Sequence, residues 1–203
     1  MLASASPARL GLLRTAGIVP QVVVSGEDED DVAHLDARTT ACTLARRKAE
    51  AVAARLTAAS GDAADGDQPL VLGCDSVLAF DGEVRGKPGT AVEAAAWWRG
   101  YRGSSGTLVT GHALIDLATG RRTAAPAETV VRFGRPSDAE IDAYVATGEP
   151  VAVAGGFTLD GFCAPFVDGI DGDHGTVLGL SLPLLRRLLA DLDVDVTDLW
   201  ESR

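Results

Sequence analysis

Two long strand-forming runs, near Thr107 to Leu117 and Thr123 to Phe133, are separated only by a short break around Ala118-Thr119-Gly120. A link that short can only turn the chain back on itself, because parallel strands need a crossover of about a dozen residues or more. The runs therefore read as a long antiparallel pair, which argues against a purely parallel, doubly wound sheet. The absence of a GxGxxG run after the first extended segment argues against a dinucleotide-binding dehydrogenase.

Helical and extended segments are intermixed around that pair. Met1 to Ser4 is a short extended stretch. Ser6 then caps a helix, Pro7 takes its first position, Leu10, Leu13 and Ala16 form its apolar stripe and Gly17 stops it. Val22-Val23-Val24 reads as a buried strand. A long helix is expected over Asp36 to Ala59, with Ala41, Leu44, Ala45, Ala49, Val52 and Leu56 on its apolar face. Ser60 to Gln68 reads as an exposed loop, Pro69 to Gly73 as an apolar strand, and Val77 to Val84 as a hairpin turned by Asp81-Gly82. Further helices are expected over Val92 to Tyr101, from Pro136-Ser137 with Glu140 at capping-box spacing, and over Pro183 to Leu192. Ala154 to Asp173 is Gly-rich and interrupted. The chain is thus α/β or α+β with a mixed twisted sheet, and its 203 residues suffice for one large domain or two joined lobes.

Composition narrows the function classes. The formal net charge is −11, and the densest basic run, Arg46-Arg47-Lys48, sits on an expected helix, so a nucleic-acid polymer is not expected as a partner. A single nucleotide needs only a few local cations. Apolar runs fall far short of the ~20 residues of a membrane span, and the opening residues lack the pattern of a secretory leader. Cys42, Cys74 and Cys163 are odd in number and show no CxxC spacing, which fits a reducing cytosol. His34, His112 and His174 are scattered and read as surface or core histidines rather than ligands.

Three places carry chemistry. Ser4, Ser6 and Arg9 put hydroxyls and a guanidinium at the start of a helix, an arrangement suited to an anion; the alternative is an ordinary capped helix. Lys48 falls within the apolar stripe, one turn after Leu44 and one turn before Val52. A lysine so placed has a partner or ligand, or else snorkels to water. In Gly73 to Pro88, an apolar strand ends at Asp75 and a hairpin brings back Gly86-Lys87-Pro88, so that a carboxylate with lysines around it could hold a metal and neutralise phosphate. The acidic run with Asp28 and Glu29 is either a solvated loop or a second source of metal carboxylate.

The segments LASASPARLGLL, LARRKAEAVA, LGCDSVLAFDGEVRGKP, TGHAL, YVATGEP and AGGFTLDGFCAPFVDGIDGDHGTVLGLSLPLLRRLL occur in the order seen in Maf-like proteins, the septum-formation-inhibitor homologues that act as nucleoside triphosphate pyrophosphatases. This resemblance covers nearly the whole chain and identifies it as a single Maf-like domain over residues 1–203. It implies an α/β fold with a mixed twisted sheet in two lobes around a central cleft, related to the inosine triphosphate pyrophosphatases. It also implies cleavage of a nucleoside triphosphate between the α- and β-phosphates with a divalent cation, Mg²⁺ or alternatively Mn²⁺ or Co²⁺, in the cytoplasm. By position, phosphate binding falls on Ser4 and Arg9, metal binding on Glu29 (or Asp28) and Asp75, catalysis on Asp75, Lys48 and Lys87, and substrate contact also on Ser76 and Asp160. The oligomeric state stays open, a homodimer included. The chain departs from many relatives at Ala8, where an arginine is common, at Cys74 and Ser76 around the aspartate, and at Asp160, where pyrimidine-preferring members carry glutamine. The preferred base stays open accordingly. The alternative function is a nucleotide-sensing regulator of cell division that binds without turnover.

Overall fold

A computed structural model describes residues 1–26, 35–60 and 68–201. Its elements in chain order are α1 (Pro7–Thr15), α2 (Ala37–Ser60), β1 (Leu70–Phe80), β2 (Glu83–Arg85), α3 (Ala91–Tyr101), β3 (Ser105–Asp116), β4 (Arg122–Phe133), α4 (Asp138–Ala146), β5 (Val167–Gly172), α5 (His174–Leu178) and α6 (Leu182–Ala190). The strands form one sheet in the order β2-β1-β3-β4-β5. β1–β2 and β4–β5 pair antiparallel. The expected antiparallel pair is β3 and β4, closed by an Asp116 N–H to Arg121 carbonyl bond of 3.0 Å. Among the described residues no helix is long and apolar enough to cross a membrane.

The chain divides into two compact units: Met1–Asp75, Thr110–Ala127 and Gly179–Arg203 form the first, and Ser76–Val109 and Glu128–Leu178 the second. In the first unit the opening residues thread between two extended segments. Met1 and Ala3 exchange backbone bonds with Leu70 and Leu72 at 2.7–3.0 Å, while Leu2 bonds Gln21 and Val23 at 2.8 and 3.0 Å. Val22 and Val24 were expected as buried strand residues but are 42% and 53% exposed. Their segment lies outside Met1–Ala3, and only one of its faces is covered.

Side chains alternate across a strand, and the first unit uses both faces of β1 and β3. Leu72, Cys74 and Leu114 belong to one apolar cluster with Leu2, Leu13 and the α6 leucines 184, 185, 188 and 189. Val71, Ala113 and Ile115 belong to another with Ala45, Ala49 and Val52 of α2. Just before α2, the Asp36 carboxylate accepts the Arg38 and Thr39 N–H groups at 3.0 Å. It lies very close to the sheet because glycines stand beneath it. A Cβ on Gly73 would strike the Ala45 carbonyl and come within 2.8 Å of the Ala49 nitrogen; one on Gly111 would strike the Ala41 carbonyl and come within 2.6 Å of the Cys42 nitrogen.

The second unit has an aromatic core of Phe80, Trp98, Tyr101, Phe133, Tyr144 and Phe157. Tyr101 and Phe133 stack with centroids 4.5 Å apart, and Trp98 meets Tyr101, Phe133 and Tyr144 edge-on at 5.5–5.7 Å. α3 is capped by Thr90 and α4 by the expected Ser137–Glu140 capping box. The Gly-rich stretch from Ala154 to Asp173, expected to be interrupted, contains β5, and α5 follows it. Its strand is short and supplied by Val-Asp-Gly-Ile-Asp-Gly, whose two glycines hide the strand pattern from a reading by periodicity.

Two alanine substitutions separate close approach from helix propensity. Gly73→Ala is expected to lower unfolding free energy by about 1–3 kcal/mol by overpacking α2 on the sheet. Gly11→Ala, mid-helix in α1 with nothing within 4 Å of the added methyl, is expected to raise it by roughly 0.5–1 kcal/mol. Urea unfolding of both variants measures the two signs.

Candidate active site

Gly73 and Asp75 are two residues apart on β1, so both face α2. Gly73 lies beneath Ala45 and Ala49, and the helix presents Lys48 beside them. The Lys48 ammonium donates to the Asp75 carboxylate as an ion pair, with the two side chains only 12% and 9% exposed. Of the two readings open for Lys48, the structure gives the partnered one. Asp75 was expected at the end of a short strand; instead β1 runs on unbroken through Phe80. Val77 and Leu78 are buried on opposite faces of the same strand, and the Asp81-Gly82 turn comes only after it, with Asp81 and Gly82 both at positive φ (50° and 78°). The carboxylate therefore sits inside the strand, under the helix. Burying such a pair is costly and is weak evidence for a purely stabilising role.

Ser4 and Arg9 come to the same strand from the other side. The parallel bridge of Leu2 with Leu72, carried on two residues, brings Ser4 abreast of Cys74. Ser4 is buried, and its hydroxyl accepts Arg9 Nη1 at 2.9 Å. Arg9 Nε donates to the Gly179 carbonyl at 2.8 Å, and Ser6 caps α1 through the Arg9 N–H at 3.4 Å. Burial pushes the Cys74 thiol up to about 12; Arg9 and Lys48 work against that rise and Asp75 adds to it. The Ser4–Arg9 and Lys48–Asp75 contacts thus approach β1 around Cys74 within the first unit.

The other expected residues belong to the second unit or lie outside the described residues. Ser76 is half-buried on β1, and Lys87 is exposed just after β2. The backbone beside Lys87 is tied down: the Gly86 carbonyl accepts the Gly155 N–H at 2.7 Å. Tyr101 Oη in turn donates to the Gly155 carbonyl at 3.0 Å, and Trp98 Nε1 to the Gly156 carbonyl at 2.8 Å. Burial pushes the Tyr101 hydroxyl up to about 12, so it remains a donor at neutral pH. Asp160 is exposed at a turn where its carboxylate accepts the Thr158 hydroxyl. Asp28 and Glu29 lie outside the described residues. Sequence reasoning singled out neither the Tyr101–Trp98 clamp nor Gly179; apolar spacing marks those aromatics only as core, and no local pattern ties Gly179 to Arg9.

A divalent cation of the Mg²⁺ type takes one or two protein carboxylates and completes its shell with substrate oxygens and water. Asp75 is a buried carboxylate that faces the Lys48 ammonium. Among the described residues no group of three His, Cys, Asp or Glu side chains could hold a metal. Asp75 could supply one carboxylate to an ion shared with a phosphate-bearing substrate; the acidic run with Asp28 and Glu29 lies outside the described residues.

The sequence profile described as Maf-like protein matches residues 1–192. The chain belongs to the Maf-like family. A protein of Streptomyces coelicolor is 58% identical over 200 residues, covering 98% of this chain and 93% of its own length. One of Streptomyces avermitilis is 55% identical, covering 100% and 95%, and one of Nostoc punctiforme is 48% identical, covering 99% and 97%. Each of the three bears the name nucleoside triphosphate pyrophosphatase. The mixed α/β architecture is consistent with this Maf-like assignment.

Because the Lys48–Asp75 pair is buried, removing one member alone leaves an uncompensated charge. Lys48→Met is expected to destabilise the chain by roughly 3 kcal/mol. Adding Asp75→Asn to that variant should recover much of the loss, since the stranded charge is gone. Additive losses in urea unfolding of the single and double variants would show that the two side chains do not act as a pair.

Proposed function

We propose that this Maf-like chain is a nucleoside triphosphate pyrophosphatase that hydrolyses a ribo- or deoxyribonucleoside triphosphate to the monophosphate and pyrophosphate. The observation that carries the reading is the buried Lys48–Asp75 pair beside Ser4 and Arg9, a carboxylate with two cations in a family whose named members bear that activity. Phosphoryl transfer asks little covalent chemistry of a protein and much positioning and charge neutralisation. Arg9 offers a planar fork to phosphate oxygens, and Ser4 holds one arm of that fork. Lys48 has three donors, so it can engage a phosphate oxygen while still holding the carboxylate. Asp75 accepts a hydrogen bond from the attacking water and takes its proton.

Asp75 and Glu29 are the proposed ligands of a divalent cation, Mg²⁺ first. Such an ion, when bound, supplies charge neutralisation at the phosphate oxygens. Lys87 is proposed as a further phosphate ligand, and Ser76 and Asp160 as substrate contacts, all on the strength of the family resemblance. A reducing cytosol is proposed as the working compartment on the strength of the sequence pattern, three cysteines with no CxxC spacing.

Asp75→Asn keeps an acceptor for Lys48 but removes the base and the negative charge. It is expected to reduce turnover on the order of 10²-fold or more, in the range of a lost general base, assayed where circular dichroism shows the variant folded, because the Lys48 charge left without its carboxylate lowers stability. The measurement is pyrophosphate release from UTP, dTTP, CTP, GTP and ATP with Mg²⁺ and with Mn²⁺. A wild-type chain that binds triphosphate and releases no pyrophosphate is a sensor, and an Asp75→Asn variant at wild-type rate removes Asp75 from the chemistry.

A further inference from the structure

His112 is fully buried, and none of the roles above uses it. Gly111, Ala113 and Ile115 turn toward α2, so alternation along β3 turns His112 the other way, with Leu114, toward the α6 side. There its Nδ1 lies 3.0 Å from the Thr110 carbonyl oxygen, and its Nε2 accepts the Ser181 N–H at 2.8 Å. A carbonyl oxygen can only accept and a backbone N–H can only donate. The ring therefore carries its proton on Nδ1 and keeps Nε2 as an acceptor.

Ser181 caps α6 through the Leu184 N–H at 3.2 Å, and Leu180 before it is wholly buried. The residue before that, Gly179, has φ +100°, and its carbonyl takes Arg9 Nε at 2.8 Å. A Cβ at Gly179 would come within 3.0 Å of that same Nε. His112 thus pins the far end of a three-residue segment whose near end aims the guanidinium, and the guanidinium passes its other arm to Ser4 Oγ.

We propose that His112 is a positioning residue for Arg9, acting through the Gly179–Ser181 segment so that the guanidinium stands ready for the phosphates of the substrate. This rests on the reading of Arg9 as a phosphate ligand. His112 touches no substrate in this role; it holds the backbone that holds the arginine.

The test is steady-state pyrophosphate release with Mg²⁺ and the most rapidly cleaved of UTP, dTTP, GTP and ATP, on the full chain, its folding checked by circular dichroism. His112→Phe keeps an aromatic ring and removes the acceptor. It is expected to lower kcat/KM roughly 10-fold, the scale of one lost hydrogen bond, with the loss mainly in KM. His112→Gln restores an acceptor and should recover most of it. His112→Phe combined with Arg9→Ala should be no worse than Arg9→Ala alone, because a residue acting only through Arg9 has nothing left to position. Additive losses, or a wild-type KM in His112→Phe beside an impaired Arg9→Ala, overturn the positioning role and leave the Arg9 reading standing. An Arg9→Ala variant with wild-type constants overturns both. If the His112 variants do not fold, Gly179→Ala probes the same link from its other end, and its loss must likewise vanish in the Arg9→Ala background.

Discussion

The first unit depends on how closely α2 lies on the sheet. Helices usually rest on a layer of side chains, but here Gly73 and Gly111 remove that layer at two points, and the helix backbone descends onto β1 and β3. The helix answers with small residues: Ala41, Ala45 and Ala49 are all fully buried. A larger residue at either glycine or at these alanines would lift the helix and widen every distance beneath it.

That closeness is what makes the buried ion pair possible. Lys48 reaches Asp75 because the helix is near and because Gly73 and Asp75 share the face of β1 that the helix covers. A lysine in an apolar stripe would otherwise extend its stem to water. On the opposite face of the same two strands, Cys74, Leu114 and His112 meet the α1 and α6 side, from which Arg9 is aimed through Gly179. The two faces thus bring separate cations to one strand segment, residues 74 and 75, by separate routes.

The second unit is organised on another principle. Its core is aromatic, and the polar ends of the aromatic residues hold glycine carbonyls: Tyr101 takes that of Gly155 and Trp98 that of Gly156. Both glycines have positive φ, at 68° and 69°, a backbone shape that glycine adopts without a Cβ penalty. The Gly155 N–H then fixes Gly86, the residue before Lys87. Arg85 stacks over Phe80, Trp97 and Tyr101 at 4.8–5.4 Å on the other side of that glycine.

The sequence by itself determined what depends on neighbours along the chain. The antiparallel β3–β4 pair, the Ser6-Pro7 start of α1, the Ser137–Glu140 capping box, the long α2 and the oddness of Lys48 within its apolar stripe are all local patterns, and a strand or helix period reads them directly. Ser4, Arg9, Lys48 and Asp75 were legible as candidates for the same reason, and the family motifs named the activity. What only the tertiary structure decided are the things made by residues far apart. Asp75 looked like a strand end because a glycine precedes it; packing under α2 shows the glycine is there for close approach, so the strand continues. β5 was hidden by its glycines, and its pairing with β4 supplies the bonds that its propensity does not. The partner of Lys48, the tautomer of His112 and the carbonyl that holds Arg9 are set by contacts spanning 27, 69 and 170 residues of chain. No sequence period reaches that far, because such contacts exist only once the sheet has brought the segments side by side.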